Sequence, residues 1–132
     1  MFVVVYGTLK QGYGNNRILS GGTGAYVRDI VVQGYKLYDS GFPVAIPSEN
    51  DSIKGELWDI GDPETNIESM STLRRLDGLE GEGRMYNRVE IIIPQDHLSF
   101  NMYVGHPRFW EPEKMDELPK DNDGNYYWER SY

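Results

Sequence analysis

Cysteine, long apolar runs and positive charge are absent or scarce in this sequence of 132 residues. Without cysteine there is no disulfide bond, no thiolate nucleophile and no thiolate metal ligand. The apolar run near the N-terminus covers only residues 2–5, so we expect neither a signal peptide nor a membrane-spanning helix, and a cytoplasmic location is the default. The formal net charge of −8 argues against a nucleic acid or an anionic membrane as a partner.

Several familiar catalytic and metal-binding patterns are also missing. The early glycines lack the Gly-x-x-x-x-Gly-Lys-Ser/Thr spacing of a nucleotide-binding loop. His97 and His106 have no nucleophile signature beside them, and we interpret both as surface or structural residues. The segment that starts at Asp121 hints at a calcium loop, but its glycine comes two positions early and Tyr132 stands where the last ligand belongs. We expect a solvated turn there, and neither a metal nor a cofactor in the protein.

The stretch around which the chain is organised is its first strand and the loop that follows. Residues 2–5 are apolar and three of them are β-branched valines, which predicts a short strand buried on both faces. Tyr6-Gly7-Thr8-Leu9 comes next, and the nearby glycines predict a sharp turn. Backbone N–H groups in such a loop form an anion or oxyanion site if they have no intramolecular partner. An ordinary turn is the alternative interpretation.

The remaining pattern predicts an α+β fold, a small mixed and mostly antiparallel β-barrel of five to six strands with one main helix. The other predicted strands cover residues 26–38, 44–46, 53–60, 86–93 and 98–104, with a polar loop at 48–52 and a hairpin formed by the last two. We expect a single domain over 1–132. Its last part, 107–132, is rich in acids and aromatic residues, including Tyr132, and is expected to pack on the barrel.

The main helix is predicted to start at Asp62-Pro63-Glu64, which combines an N-cap residue, proline at the first helical position and an acid in the first turn. Its inward stripe is predicted to be Ile67, Met70, Leu73 and Leu76, and its end falls at Gly78 or Gly81.

One carboxylate stands out at the end of this helix. If the helical phase continues past Gly78, Glu80 projects between Leu73 and Leu76 onto the buried side, and Asp77 falls between Met70 and Leu73. Burial against apolar groups raises the pKa of a carboxyl, which suits it to general acid–base catalysis near neutral pH. The alternative is a structural acid that backbone N–H groups, Arg84 or Arg88 would satisfy.

These two motifs together resemble the gamma-glutamylcyclotransferase-like family. Tyr6-Gly-Thr-Leu-Lys10, with Asn15 nearby, is similar to the opening motif of that family, and Leu76-Asp-Gly-Leu-Glu-Gly81 is similar to its helix-end motif. Tyr86-Asn-Arg88 follows at the family's spacing, and Tyr103 stands where the family places an inward tyrosine. The resemblance covers about the first hundred residues and is greatest to the gamma-glutamylamine cyclotransferases. At positions 13, 14 and 16 the sequence departs from the family's pattern, so the resemblance does not identify the leaving amine.

The resemblance implies a barrel with a cavity, a small-molecule γ-glutamyl substrate, and an enzyme that releases 5-oxoproline and a free amine or amino acid. The α-amino group of the glutamyl unit would attack its own γ-carbonyl, with Glu80 as a proton shuttle used twice. The loop Tyr6-Gly7-Thr8-Leu9 would supply fixed N–H donors, and the intramolecular attack requires no metal or cofactor. Tyr86 and Tyr103 would line the pocket, either bonding the substrate or only packing in its wall.

Two other functions remain open at this point. One is a non-catalytic module on the same barrel that binds a small molecule or a protein. The other is related chemistry that removes a γ-glutamyl group from an acyl carrier or a peptide crosslink. A buried acid at Glu80 favours an enzyme, because a binding pocket has no need for one. A monomer is favoured for the oligomeric state.

Overall fold

The fold is a curled sheet that carries the main helix on one face, and the computed structural model describes residues 1–129 of it. Tyr132 lies outside the described residues. The strands and helices are, in chain order, β1 (Phe2–Val5), α1 (Arg17–Ser20), β2 (Ala25–Asp39), β3 (Pro43–Asp59), α2 (Ile67–Glu80), β4 (Tyr86–Ile93), β5 (Leu98–Gly105) and β6 (Asp116–Glu117). Within residues 1–129 this confirms the predicted α+β class with six strands and one main helix.

β1 lies in the middle of the sheet, whose strand order is β4-β5-β1-β3-β2-β6. It pairs antiparallel with β3, with Val3 opposite Trp58, and parallel with β5, with Val3 opposite Asn101. The other strand pairs are antiparallel. The three valines of β1 are buried, as the apolar run predicts for a strand covered on both faces.

β2 and β3 form one long hairpin, and here the predicted loop at 48–52 is wrong. Residues 43–59 are a single strand, which joins the two strands predicted at 44–46 and 53–60. The loop residues instead form a bulge, because Gln33 pairs with Ser52 while Tyr35 pairs with Pro47. Asn50 has a positive φ of 66°, a conformation that asparagine tolerates better than most residues and that suits a tight bend.

The predicted start of the main helix is also wrong, since α2 begins at Ile67 rather than near Pro63. Asn66 is the N-cap residue, and its side chain accepts hydrogen bonds from the backbone N–H groups of Glu68 (2.8 Å) and Ser69 (3.1 Å). Asp62 makes a similar bond to the N–H of Glu64 (2.9 Å), but this bond closes a separate turn before the helix. Asp62 therefore has the predicted capping chemistry, but it closes this turn rather than the start of α2.

The inward face of α2 differs from the predicted stripe. Ile67 is 89 % exposed and Met70 only half-buried. The buried residues of α2 are Ser69, Thr72, Leu73 and Leu76. Ser69 packs directly against the backbone of Gly61, where an added Cβ would overlap the Ser69 hydroxyl oxygen. Close backbone approach, rather than apolar periodicity, determines this part of the interface.

The core has two parts, one inside the curl of the sheet and one under α2. Residues inside the curl include Val4, Ile30, Val32, Leu37, Phe100 and Met102. Residues under α2 include Val3, Val5, Trp58, Ile60, Leu73 and Leu76. Alternate side chains of β1 therefore enter opposite parts of the core, as the pleat of a strand requires.

The segment after β5 contacts the sheet at several points. The N–H of Tyr126 donates to the carbonyl of Ser52, and the N–H of Lys54 donates to the carbonyl of Tyr126, both at 2.8 Å. The indole N–H of Trp110 donates to the carbonyl of Met85 at 2.8 Å. Tyr126 and Trp128 are buried. The single-domain assignment for 1–132 stays a prediction.

None of the helices formed by the described residues is both long enough and apolar enough to cross a membrane.

Candidate functional site

A cavity of about 330 Å³ opens where the end of β1 meets the end of α2. It is lined by all seven residues predicted for the site, which are Tyr6, Gly7, Thr8, Leu9, Glu80, Tyr86 and Tyr103. Residues separated by most of the chain therefore come together in one place.

The loop after β1 lines this cavity and carries backbone N–H groups that have no acceptor among the described residues. Its carbonyl groups are used inside the protein: the Gly7 carbonyl accepts from the N–H of Lys10 (3.0 Å), and the Thr8 carbonyl accepts from the N–H of Asn15 (3.2 Å). By contrast, the N–H groups of Gly7, Thr8 and Leu9 have no acceptor among residues 1–129. This is the condition under which such a loop can hold an anion or an oxyanion.

Two contacts fix the position of this loop. The side-chain amide of Asn15 donates to the hydroxyl oxygen of Thr8 at 2.8 Å. Gly7 packs directly against Pro43, because an added Cβ would lie 2.8 Å from a ring carbon of that proline. Only glycine fits there without displacing the first residue of β3.

Glu80 is the last residue of α2 and turns its carboxylate into the cavity. The helix continues through Gly78 and ends at Gly81, whose φ of 60° and ψ of 50° close it in the left-handed conformation. No hydrogen bond or ion pair joins the Glu80 carboxylate to another of the described residues. Burial without such a partner raises its pKa to about 7, because the charged form loses its hydration.

The arginine contact considered as the alternative for Glu80 is made by Asp77 instead. Arg88 donates from Nε to Oδ1 of Asp77 at 3.0 Å, and the Tyr103 hydroxyl donates to the same oxygen at 2.6 Å. Asp77 is therefore the structural acid of this helix end, and Glu80 is the acid that faces the cavity.

The two other tyrosines of the cavity also donate their hydroxyl protons to the protein. The Tyr6 hydroxyl donates to the carbonyl of Tyr103 at 2.5 Å and accepts from the N–H of Ala45 at 3.3 Å. The Tyr86 hydroxyl donates to the carbonyl of Pro43 at 3.1 Å. Burial raises the pKa of both phenols, and the nearby carboxylate in the cavity raises it further. Both side chains therefore remain protonated and tie neighbouring strands together.

Several residues outside the predicted site also line the cavity, among them Asn15, Phe42, Leu79 and Met85. Asn15 belongs to the first motif, so its position in the sequence was a usable signal. Phe42 lies in the turn between β2 and β3, and its approach to the cavity depends on how that hairpin packs. Nothing in its sequence neighbours indicates this.

The Asp121 segment and His106 have partners within the protein. The Asp121 carboxylate accepts hydrogen bonds from the N–H groups of Asp123 and Asn125, both at 2.9 Å, and pairs with Lys54 at 3.3 Å. Nδ1 of His106 accepts from the N–H of Arg108 at 3.1 Å. Over residues 1–129, no three acidic or histidine side chains converge as metal ligands would.

The family model described as "Gamma-glutamyl cyclotransferase, AIG2-like" matches residues 3–129. No match was found among curated proteins.

Solved structures with a similar fold come from several organisms. The protein ytfP of Escherichia coli is 26 % identical, with 97 % of this chain and 96 % of that chain covered and a TM-score of 0.64. A protein of Pyrococcus horikoshii is 20 % identical, with 96 % and 89 % covered and a TM-score of 0.67. A structure named gamma-glutamyl cyclotransferase is 16 % identical, with 89 % and 69 % covered and a TM-score of 0.56.

Proposed function

The chain belongs to the gamma-glutamyl cyclotransferase, AIG2-like family, and from that premise we propose that it releases 5-oxoproline and an amine from a γ-glutamyl amide. The observation that carries this proposal is Glu80, a carboxylate without a hydrogen-bond or ion-pair partner among the described residues, which lines the same cavity as the loop after β1 with its unbonded N–H groups. An acid placed in this way costs stability and is retained where it transfers protons.

The reaction requires protons to move between two nitrogen atoms. The α-ammonium group starts with three N–H bonds, and the lactam nitrogen of the product keeps one. The amide nitrogen starts with one N–H bond, and the departing amine leaves with three as an ammonium ion. Two protons therefore pass from the attacking nitrogen to the leaving nitrogen. With a pKa of about 7, Glu80 is able both to accept a proton and to return it.

The developing charge on the γ-carbonyl oxygen needs fixed donors. When the α-nitrogen bonds to the γ-carbon, the carbonyl oxygen becomes an oxyanion, and breaking the bond to the leaving nitrogen restores the carbonyl. The N–H groups of Gly7, Thr8 and Leu9 suit this oxyanion or the substrate's α-carboxylate, because they are held in place before the substrate arrives. The same N–H groups offer a local attraction for the substrate's α-carboxylate in a protein of net charge −8.

The decisive experiment uses Glu80→Gln, which keeps the shape of the side chain and removes its proton-transfer capacity. Purified protein is incubated with γ-glutamyl amines and γ-glutamyl amino acids, and 5-oxoproline is measured by mass spectrometry. We expect the variant to lose at least about a hundredfold in kcat, the typical contribution of general acid–base catalysis. Glu64→Gln, at an exposed glutamate before α2, is the matched control.

Two outcomes would contradict the proposal. If Glu80→Gln turns over within a few-fold of the unaltered protein, Glu80 is not the shuttle. If no γ-glutamyl compound yields 5-oxoproline while one of them binds tightly, the barrel is a binding module. Release of a γ-glutamyl unit only from a carrier or a crosslinked peptide would point to the related acyl-cleaving chemistry.

The mouth of the cavity favours an amine without a carboxylate as the leaving group. Phe42 and Leu79 line the cavity and are also 36 % and 42 % exposed, which places them at its opening, and the partly buried Met85 is a further apolar lining residue. Glu80 is the only Asp, Glu, Lys or Arg among the described residues that line it. A leaving amino acid would bring a carboxylate to this apolar opening without a basic side chain in the lining to pair with it.

This preference can be measured with a matched pair of substrates. γ-Glutamyl-n-butylamine and γ-glutamyl-norvaline differ only in the carboxylate on the leaving group. We expect kcat/KM to favour the butylamine compound by about tenfold or more, the cost of leaving one charged group poorly solvated. Equal kcat/KM values for the two compounds would contradict the proposed preference for an amine without a carboxylate, but not the proposed reaction.

A further inference from the structure

Two hydroxyl groups of the cavity, those of Tyr103 and Thr8, have their proton direction determined by a neighbouring side chain. The Tyr103 hydroxyl donates to Oδ1 of Asp77 at 2.6 Å, a short distance typical of a bond to a carboxylate. The Thr8 hydroxyl oxygen accepts from the amide of Asn15 at 2.8 Å. Both hydroxyl-bearing residues line the cavity.

A hydroxyl group has one proton and two lone pairs, so the use of one determines what remains. The Tyr103 hydroxyl donates its one hydrogen bond to Asp77 and has only oxygen lone pairs left for a ligand. The Thr8 hydroxyl oxygen accepts a hydrogen bond from the Asn15 amide, and its own proton remains available for donation. The two hydroxyl groups therefore present opposite polarity to the cavity.

Arg88 makes the arrangement at Asp77 more definite. Its Nε donates to the same oxygen that Tyr103 uses, at 3.0 Å, so this oxygen accepts two hydrogen bonds. An oxygen held by a guanidinium on one side keeps its position for the phenol on the other.

We propose that Asp77 and Asn15 are positioning residues that divide the cavity into an acceptor end and a donor end. The acceptor end consists of the Tyr103 oxygen and the Glu80 carboxylate. The donor end consists of the Thr8 hydroxyl and the N–H groups of residues 7–9. The inference rests on the proposed function, because a γ-glutamyl substrate has an ammonium group for the first end and a carboxylate or carbonyl oxygen for the second.

The division also explains how one orientation is selected. A reversed substrate would place its carboxylate against Tyr103 and Glu80, where lone pairs face lone pairs, and its ammonium against N–H groups. Both contacts are repulsive, and a partly buried cavity does little to screen them. The direction of two hydroxyl protons thus contributes to holding the ammonium beside Glu80.

The first test compares Asp77→Leu, Asp77→Asn and Tyr103→Phe. Asp77→Leu removes the acceptor, so the Tyr103 proton becomes free to point into the cavity, and Tyr103→Phe removes the oxygen. We expect each to lower kcat/KM about tenfold, the effect of losing one hydrogen bond to a charged group, with no further loss in the double variant. Asp77→Asn keeps an acceptor oxygen and is expected to recover most of the loss.

Two results would overturn this role for Asp77. If Asp77→Asn is as impaired as Asp77→Leu, the charge of Asp77 matters rather than its acceptor. If the losses of Asp77→Leu and Tyr103→Phe multiply in the double variant, Asp77 does not act through Tyr103. Circular dichroism identifies a variant that fails to fold, and in that case Asp77→Asn and Tyr103→Phe carry the comparison alone.

The second test examines the donor end with Asn15→Leu, Thr8→Val and Thr8→Ser. Binding of 5-oxoproline, measured by calorimetry, is expected to weaken about fivefold to tenfold in Asn15→Leu and in Thr8→Val, and no further when the two are combined. Thr8→Ser keeps the hydroxyl group and is expected to bind as tightly as the unaltered protein within about twofold. If the losses of affinity multiply in the double variant, Asn15 does not act through Thr8, and this half of the proposal is overturned.

A binding experiment separates failure of this inference from failure of the proposed reaction. γ-Glutamyl-n-butylamine is compared with N-butylglutaramic acid, which lacks the ammonium group and cannot cyclise. The unaltered protein is expected to bind the amino compound about tenfold more tightly, and this ratio should shrink in Asp77→Leu and Tyr103→Phe. Absence of 5-oxoproline contradicts the proposed reaction, whereas an unchanged ratio in both variants contradicts the division of the cavity.

Discussion

At the scale of single residues, the buried carboxylate of Glu80 makes the stability of the fold depend on pH. Its pKa is about 7 in the folded chain, against 4.5 for an ordinary glutamate, so the folded state holds the proton more tightly. The stabilisation from this proton is complete below pH 4.5 and is lost as pH rises through 7.

The resulting prediction concerns the free energy of unfolding of Glu80→Gln, which has no such proton to lose. Relative to the unaltered protein, the variant should gain about 3 kcal/mol of stability between pH 4.5 and pH 8, since one pKa unit corresponds to about 1.4 kcal/mol. Urea unfolding at the two pH values measures it. For the exposed Glu64→Gln, the difference in free energy of unfolding from the unaltered protein should be the same at both pH values. If this difference is also independent of pH for Glu80→Gln, the Glu80 carboxylate is hydrated in the folded protein.

The direction of the Glu80 side chain could be predicted from the sequence, whereas the acid that pairs with Arg88 could not. Its inward direction followed from the helical period alone, and the helix does continue past Gly78 to residue 80. What the period did not determine is which acid meets the arginine. That depends on β4 and β5 placing Arg88 and Tyr103 beside Asp77, a tertiary arrangement with no signature in the local sequence.

At the scale of elements, the two ends of α2 have different tasks. Gly81 closes the end next to Glu80, whereas Asn66 caps the distant start. Replacing Asn66 should therefore affect stability and leave the cavity unchanged.

We expect Asn66→Ala to lower the free energy of unfolding by about 1 kcal/mol, because the N–H groups of Glu68 and Ser69 lose their acceptor. Release of 5-oxoproline should be unchanged at temperatures well below the midpoint of unfolding. Ser71→Ala, at an exposed position within the same helix, is the control. An equal loss in both variants would indicate that the N-cap bonds contribute nothing.

The errors at the element scale share one physical origin. Asp62-Pro63-Glu64 has the composition of a helix start, yet the capping bond of Asp62 closes a separate turn. The helix begins only after Asn66, which is its N-cap residue. The segment at 48–52 is polar because it bulges from β3, and its composition resembles a loop. In both cases the sequence indicates the local chemistry, a capping bond or a polar exposed segment, whereas tertiary packing determines which element uses it.

At the scale of the whole molecule, the segment after β5 connects distant parts of the chain. The Lys10 ammonium donates to the carbonyl of Trp128 at 2.7 Å, and the Tyr13 and Trp128 rings lie 5.0 Å apart. Burial lowers the pKa of Lys10. The residues just after the donor loop are thereby joined to the last part of the described chain.

Trp128→Ala tests this connection. The Trp128 side chain is buried, so its removal should lower the free energy of unfolding by about 3 kcal/mol or more in a single cooperative transition. The half-buried neighbour Tyr127→Ala is the control and should lose less. A separate early transition in the unaltered protein would mean instead that this segment unfolds independently of the sheet.

The central place of β1 has a consequence for how the protein is made. β2 pairs with β3, and β4 with β5, through short connections, so each hairpin can form while the chain is still being synthesised. β1 is synthesised first, but its second edge is covered only after Asn101 and Met102 of β5 have been synthesised. We therefore expect the cavity to be among the last features to form, and a growing chain to remain inactive until β5 has been completed.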